Sequence, residues 1–270
     1  MRNIPLNDKE LAIFRKLIYE WAGISMSDQK RSLIASRLMK RLSHYNFDNF
    51  MDYINLVQNK DNETERQLMI DILTTNETYF FRERQHFDFL WEKLIERARA
   101  GTGVRIWSAA SSTGEEAYTL AIVCAETLGV HGDWEIIGTD INETVLQKAS
   151  QGIYSMDRLD SFPENLLKKY CLKGTKSQEG KIAILPDLVK KVRFQQANLI
   201  GQMPNLGMFD FIFLRNVLIY FDNPTKTKVV EELYRYLKPG GYLITGLSES
   251  ILHLSNKYIK AGASISQKIA

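Results

Sequence analysis

The sequence predicts an α/β fold in two parts, a Rossmann-like domain on a parallel sheet preceded by an all-helical N-terminal domain. Three observations carry this. From Asp8 to about Arg99 apolar residues recur three and four apart, glycine and proline are nearly absent, and Gly23 is the one clear break, which is a helical pattern. After Gly101-Thr102-Gly103 short apolar runs alternate with amphipathic segments, the sequence form of parallel strands joined by helices. From Cys171 to Phe194 that rhythm lapses, with Gly174, Gly180 and the alternating Lys181-Ile182-Ala183-Ile184-Leu185, and a small β insertion is expected.

The first half supplies the helical domain, residues 1–75, and a linker, 76–101. In the second half, 102–270, a strand is expected at 104–108. A helix follows from about Glu115 to Leu128, with Ala117, Leu120, Ala121, Cys124 and Leu128 on one face. A second strand, Trp134 to Thr139, leads to a helix opened by Asn142 as a natural N-cap. Val192 to Gln196 reads as a strand and Phe209 to Leu214 as a deeply buried one. A helix from Pro224 to Leu237 has proline in its first turn and Lys238-Pro239-Gly240-Gly241 as its stop. Tyr242 to Gly246 is the last strand expected, and the β insertion is placed at about 171–194.

Composition narrows the function classes. A chain of 270 residues, 44% hydrophobic and 25% charged, holds an α/β core of about 180 residues plus a smaller unit. The longest apolar run, Phe209 to Phe221, is interrupted by Asp210, Arg215 and Asn216 and falls short of the roughly 20 residues that span a bilayer. Met1-Arg2-Asn3-Ile4-Pro5 opens into polar sequence and does not read as a signal peptide, so a cytoplasmic protein is expected. Cys124 and Cys171 are the only cysteines and the four histidines are scattered; a reduced buried thiol at Cys124 and no metal site are expected. A net charge of +3 makes no case for nucleic acid. Yet Lys30, Arg31, Arg37, Lys40 and Arg41 form a local basic patch free of acidic residues.

Ligands of open parallel sheets bind beyond the carboxyl ends of the strands, and four such places stand out. The first is the small-residue turn Ser108-Ala109-Ala110-Ser111-Ser112-Thr113-Gly114 with Glu115-Glu116 after it. Two carboxylates there suit a cationic ligand better than a phosphate, although a favourable first-turn charge explains them as well. The second is Asp140, at the end of the second strand, where a carboxylate can accept hydrogen bonds from both ribose hydroxyls of an adenosine or help cap the following helix. The third is Asn198-Leu199, an amide and an apolar side chain suited to specifying and sandwiching adenine. The fourth is Arg215-Asn216, polar groups that need partners whether inside the protein or in a cleft.

Three long motifs in order carry a resemblance: Thr75-Asn76-Glu77-Thr78-Tyr79-Phe80-Phe81-Arg82-Glu83; Arg105-Ile106-Trp107-Ser108-Ala109-Ala110 through Ser112-Thr113-Gly114-Glu115-Glu116; and Arg215-Asn216-Val217-Leu218-Ile219-Tyr220-Phe221-Asp222. Over nearly its whole length the chain resembles the chemotaxis receptor glutamate methyltransferases, the CheR family. The lone Gly114 fits too, since methyltransferases in general carry more glycine at this turn. The resemblance implies a helical domain, an S-adenosylmethionine-dependent methyltransferase domain and a small antiparallel β subdomain. It implies methyl ester formation on glutamates of the cytoplasmic helices of chemoreceptors, with S-adenosylhomocysteine as product. By matching positions, Asn76, Thr78, Arg82, Glu116, Asp140, Asn198, Leu199, Arg215 and Asn216 are cofactor contacts, and Arg82 and Tyr220 are the candidates near the transferred methyl group.

A glutamate, with a pKa near about 4.3, is ionised at neutral pH and needs no general base, so positioning should dominate. Arg82 and Tyr220 are expected to orient the reacting groups, against a packing or domain-interface role for each. On a helix Lys30, Arg37, Lys40 and Arg41 fall within an arc of roughly 100°, beside Ile34, Leu38 and Leu42, with Leu33 blurring the division. A solvated face is one reading; the resemblance implies docking to the acidic methylation region of the receptor, with Ser43 where relatives often carry a basic residue. The β insertion resembles a subdomain that some relatives use to grip a short peptide at the receptor C-terminus, a second candidate partner. Two other readings stay open: a methyltransferase acting on nucleic acid or a small molecule, and a non-catalytic adaptor that binds S-adenosylmethionine. Tyr258 to Ala270 departs from the family's usual aromatic ending.

Overall fold

The computed structural model of the protein describes residues 4–269. Residues 1–3 and 270 lie outside it, and with them most of the opening stretch read for a leader and the last residue of the tail. Four helices come first: α1 (Asp8–Ala22), α2 (Arg31–Tyr45), α3 (Phe50–Gln58) and α4 (Glu63–Leu73). α1 starts at a capping box, Asn7 Oδ1 accepting the Glu10 N–H at 2.9 Å while the Glu10 carboxylate accepts the Asn7 N–H at 3.0 Å. It ends at Gly23, whose φ of +72° is left-handed. Phe14, Ile18, Ile34, Leu38, Leu42, Tyr53 and Met69 meet in one core, each from the apolar face of its helix.

The stretch expected as a linker contains a helix, α5 (Gln85–Ala100), whose Phe87, Leu90 and Leu94 enter the second core. Then follow β1 (Val104–Ala109), α6 (Glu115–Leu128), β2 (Trp134–Asp140), α7 (Glu143–Gln151), β3 (Ile153–Ser155), α8 (Glu164–Tyr170), β4 (Cys171–Lys173), β5 (Lys181–Ile184), α9 (Pro186–Val189), β6 (Val192–Gln196), β7 (Phe209–Leu214), α10 (Asn223–Tyr236), β8 (Leu237–Thr245), β9 (Tyr258–Gly262) and β10 (Ile265–Lys268). The large sheet has the order β6-β2-β1-β7-β8-β10-β9, parallel from β6 to β8 and antiparallel where β10 enters. Strand order reverses between β1 and β7, which places a crevice at their carboxyl ends. No helix among the described residues is long and apolar enough to cross a membrane.

Three expectations are corrected. The small antiparallel sheet, β3-β5-β4, begins at Ile153 and not at 171, because β3 is only three residues long and leaves no readable alternation. Val192–Phe194, assigned to the insertion, belong to β6 at the edge of the large sheet. Tyr242–Gly246 is not the last strand: the tail folds into the β9–β10 hairpin, and Lys238-Pro239-Gly240-Gly241 lies inside β8, where its pairing with β7 is irregular.

The helical unit is stitched to the sheet by hydrogen bonds along one seam. Asn142, the N-cap of α7, donates from Nδ2 to the Asp71 carbonyl at 2.9 Å and to Thr74 Oγ1 at 2.8 Å. The Asp71 carboxylate accepts from the N–H and hydroxyl of Thr144 at 3.0 and 2.8 Å. Gln67 Nε2 donates to the Ile141 carbonyl at 2.8 Å. At the other end Ile24 forms an antiparallel bridge with Phe221. Each bond satisfies a polar group that the seam would otherwise bury unpaired.

Candidate functional site

The ends of β1, β2, β6 and β7 face this seam and, with it, wall a cavity of about 280 Å³. All the residues expected to hold a cofactor line it, Asn76, Thr78, Arg82, Glu116, Asp140, Asn198, Leu199, Arg215 and Asn216, as does Tyr220. Of the four basic docking candidates only Lys30 does. The helical unit supplies part of the wall through Ile24, Met26 and Leu33.

After β1 the chain makes a tight turn through Ala110 (φ +76°), Ser112 (φ +49°) and Gly114 (φ +92°) into α6. The N–H groups of Ala110 and Ser111 both donate to the Thr139 carbonyl at 2.8 Å, which holds the turn against β2. Gly114 is required twice over, since its φ is left-handed and a Cβ there would lie 2.9 Å from Ala149 Cβ and from the Tyr154 hydroxyl. Non-glycine residues at positive φ store strain, and Ala110 and Ser112 here and Asn216 (φ +56°) beyond β7 are among them.

Glu115 and Glu116, alike in the sequence, have different fates. Glu115 is fully buried, accepts from Thr113 Oγ1 at 2.6 Å and faces Arg158 at 3.4 Å, away from the cavity. Glu116 lines the cavity, accepting from Ser108 Oγ at 2.7 Å and from Arg215 Nη1 at 2.8 Å. Burial raises its pKa, with Arg215 and Ser108 opposing. Arg215 also donates to the Arg82 carbonyl and, at 3.1 Å, to Glu83, and it lies 5.3 Å from the Phe87 ring centroid. Its charge is thus compensated inside the protein by two carboxylates.

Asp140 is almost wholly buried and its two oxygens accept the N–H groups of Ser112 and Asn142, each at 2.9 Å. Burial pushes its carboxyl up to about 6, against those hydrogen bonds. Each oxygen keeps a lone pair for a further donor. Asn198 lines the cavity, but its Nδ2 donates to the Trp21 carbonyl at 2.7 Å and its Oδ1 accepts from the Ile200 N–H at 3.1 Å. One of its amide hydrogens therefore ties the segment after β6 to α1.

Asn76 and Thr78 come from the segment between α4 and α5. The Asn76 carbonyl accepts from Ser112 Oγ at 2.9 Å, and the Thr78 carbonyl accepts from Arg158 at 3.3 Å. Arg82 is half-buried, donates to the Glu77 carbonyl at 3.0 Å and lies over the Tyr79 ring at 5.6 Å. Tyr220 ends the short 3-10 turn Leu218–Tyr220, and its carbonyl accepts the Ser25 N–H at 2.8 Å.

The basic residues expected to dock differ in how far they are engaged within the protein. Arg41 makes a two-pronged ion pair with Glu65, at 2.9 and 2.6 Å, and Glu65 also accepts from Tyr45 and Tyr53 at 3.0 and 2.8 Å. Burial alone would raise the Glu65 pKa, but these donors outweigh it and lower it. Arg37 Nη1 donates to the carbonyls of Ile72, Leu73 and Thr74 at 3.3, 2.9 and 3.0 Å, the last carbonyls of α4. Both guanidiniums are engaged inside the helical unit; Lys30 and Lys40 are exposed.

Two residues that the sequence reading left without a role stand beside the cavity. Glu83 accepts from Arg215, from Asn216 Nδ2 at 3.1 Å and from the Leu247 N–H at 3.3 Å. Glu249 accepts from three backbone N–H groups, those of Asn216, Gly246 and Ile219. Glu83 had a signal in its place beside Arg82; Glu249 had only its position past a strand end.

The arrangement fits an adenosine ligand with a cationic centre: a buried carboxylate with free lone pairs at the end of β2, another in the first turn of α6, and a small-residue turn before that helix. The comparisons agree. Residues 76–266 match the family described as CheR methyltransferase, SAM binding domain, and residues 9–74 match CheR methyltransferase, all-alpha domain. The chain is 38% identical over 265 residues to a chemotaxis protein methyltransferase of Escherichia coli, covering 97% of this chain and 91% of that protein. It is 38% identical to a chemotaxis protein methyltransferase of Salmonella typhimurium, over 98% of this chain and 91% of that one. A chemotaxis protein methyltransferase 2 of Pseudomonas aeruginosa is likewise 38% identical, with coverages of 93% and 90%.

Proposed function

We propose, from the premise that this chain belongs to the CheR methyltransferase family, that it forms methyl esters on glutamate side chains of the cytoplasmic helices of chemoreceptors. When bound, S-adenosylmethionine supplies a methyl group on a positively charged sulfur, which a carboxylate oxygen takes directly while the electron pair of the breaking carbon–sulfur bond stays on sulfur, leaving S-adenosylhomocysteine. Asp140 would accept from the ribose hydroxyls, Glu116 would lie near the cationic end, and Ile141 and Leu199 would flank the base.

One observation carries the choice of a carboxylate acceptor. Besides the two buried carboxylates assigned to the cofactor, the cavity is lined by Arg82, Lys30, Tyr220 and the exposed Glu77, and no histidine or cysteine lines it among the described residues. Cationic and hydroxyl groups suit an acceptor that is already an anion, whereas an amine or hydroxyl would need its proton removed. Arg82 and Tyr220 orient that anion without taking a proton, and alignment in a partly closed cavity supplies the acceleration. An Arg82 guanidinium already bonded to the Glu77 carbonyl holds the acceptor loosely enough to leave an oxygen nucleophilic.

Docking to the receptor falls to Lys30, at the cavity just before α2, and Lys40, on α2. Arg37 and Arg41 act at one remove, by fixing α2 against α4. The β3-β5-β4 sheet is the candidate seat for an extended receptor C-terminal peptide, and a receptor's cytoplasmic helices place the enzyme in the cytoplasm. The test is incubation with methyl-labelled cofactor and receptor cytoplasmic fragments, followed by mild base. Release of labelled methanol is expected; label that stays on the protein would mean methylated amines and would sink the reading.

A further inference from the structure

Glu249 is a carboxylate 5% exposed, on the chain just after β8, to which nothing above gives a function. Buried carboxylates require hydrogen-bond donors, and this one finds all of its donors in backbone. Oε2 accepts the N–H of Asn216 and of Gly246, each at 2.8 Å, and Oε1 accepts the N–H of Ile219 at 3.1 Å. Its own carbonyl accepts from Thr245 Oγ1 at 2.7 Å and its N–H donates to the Gly246 carbonyl at 2.8 Å, so the residue is fixed at both ends. Two of the three N–H groups belong to the loop that leaves β7, and Tyr220 is the next residue after Ile219.

Two further observations point the same way. Asn216 is held at φ +56°, a conformation that a non-glycine residue keeps only when its surroundings impose it, and the grip on its N–H is one such constraint. Gly246 has no room for a side chain: a Cβ would lie 2.7 Å from Asn216 Nδ2 and 2.8 Å from Glu249 Oε2. Glycine there lets the β8 end close on the loop. Glu83, next to Arg82 in the chain, accepts from Asn216 Nδ2, so two carboxylates hold Asn216 and one of them links the loop bearing Tyr220 to the segment bearing Arg82.

We infer that Glu249 is a positioning residue for methyl transfer, a carboxylate clamp that folds the loop Asn216–Tyr220 and so sets where the Tyr220 hydroxyl stands in the cavity. Burial raises the Glu249 pKa, with the N–H donors opposing it, which is the balance expected of a carboxylate whose only compensation is backbone dipoles. A glutamine cannot replace it: one oxygen becomes an amide nitrogen, which meets an N–H donor with donors of its own.

The inference rests on the functional reading above, and a double-mutant cycle separates the two. Wild-type enzyme must first release base-labile methanol from receptor fragments; if it does not, the functional reading fails, whatever Glu249 does. Given that activity, Glu249→Gln should lower kcat about tenfold or more while cofactor Kd moves by about threefold or less. In a Tyr220→Phe background the same substitution should cost about twofold or less, because the group it positions is already gone. Equal losses in both backgrounds, or a loss confined to cofactor Kd, would overturn the inference and leave Glu249 a scaffold residue. Should Glu249→Gln fail to fold, Glu249→Asp, which keeps the charge with a shorter reach, is cycled against Tyr220→Phe in the same way and read by the same criterion.

Discussion

The N–H of Ser25 donates to the carbonyl of Tyr220 at 2.8 Å, so the segment between α1 and α2 lies against the loop that carries a proposed methyl-transfer residue. Tyr220 is thereby gripped from the helical side through its backbone carbonyl, a bond in which its hydroxyl takes no part.

That separation of backbone and side chain makes Tyr220→Phe a mild change for folding. Its kcat should fall by about tenfold to a hundredfold, and that of Arg82→Ala by a similar factor, with cofactor Kd changed little in either. Steady-state kinetics beside calorimetric titration of the cofactor decide it; unchanged turnover in both variants would remove the orienting roles.

Asp140 should report cofactor binding as a proton signal. Its carboxyl is raised to about 6 by burial, so in the ligand-free protein it is partly protonated near that pH. Hydroxyl donors favour the charged form and lower the pKa, so binding near pH 6 should release a proton, up to about one per site. Titrations in two buffers of different ionisation enthalpy measure it, and Asp140→Asn should abolish it. The stability sign follows from the raised pKa: this group's contribution to the ligand-free fold is fully present below its unfolded pKa of about 3.9 and is lost as pH rises through about 6.

The basic residues of α2, with Lys30 just before it, should divide by experiment as they do in space. Arg41→Ala strands Glu65 among tyrosine hydroxyls and should cost about 3 kcal/mol in denaturant unfolding. Glu65 has a lowered pKa, so its contribution is present above the unfolded carboxylate pKa and is lost as pH falls through the lower folded value. Lys30→Glu and Lys40→Glu should leave unfolding within about 0.5 kcal/mol but raise KM for receptor fragments and flatten its salt dependence. Unaltered KM and salt dependence in both would end the docking proposal for these lysines.

The regular elements were legible because their signals are local. α6 was read as Glu115 to about Leu128 and the structure has Glu115–Leu128, since its apolar face and the small-residue turn before it sit in one window. Asn142 was read as a cap and does accept the Val145 N–H. The cavity's carboxylates were legible because Asp140 ends β2 and Glu116 lies in the first turn of the helix that follows β1. What escaped depends on partners far along the chain. Arg41 and Arg37 look like neighbours on a cationic face, but they are committed to Glu65, 24 residues on, and to carbonyls 35 to 37 residues on. β9 and β10 escaped because β9 is mostly exposed at the sheet edge, Ile259 included, and such a strand need not alternate.

The seam has a consequence for how such proteins can be recombined. Asp71 engages Asn142 and Thr144, and Asn198 is matched to the carbonyl of Trp21, so each half carries the counterpart of the other's polar groups. A chimaera that took its helical half from one parent and its sheet from another would inherit unpaired donors at the wall of its own cofactor cavity unless these pairs were transferred together. The halves are therefore heritable as a matched set, and drift in one restricts the substitutions open to the other.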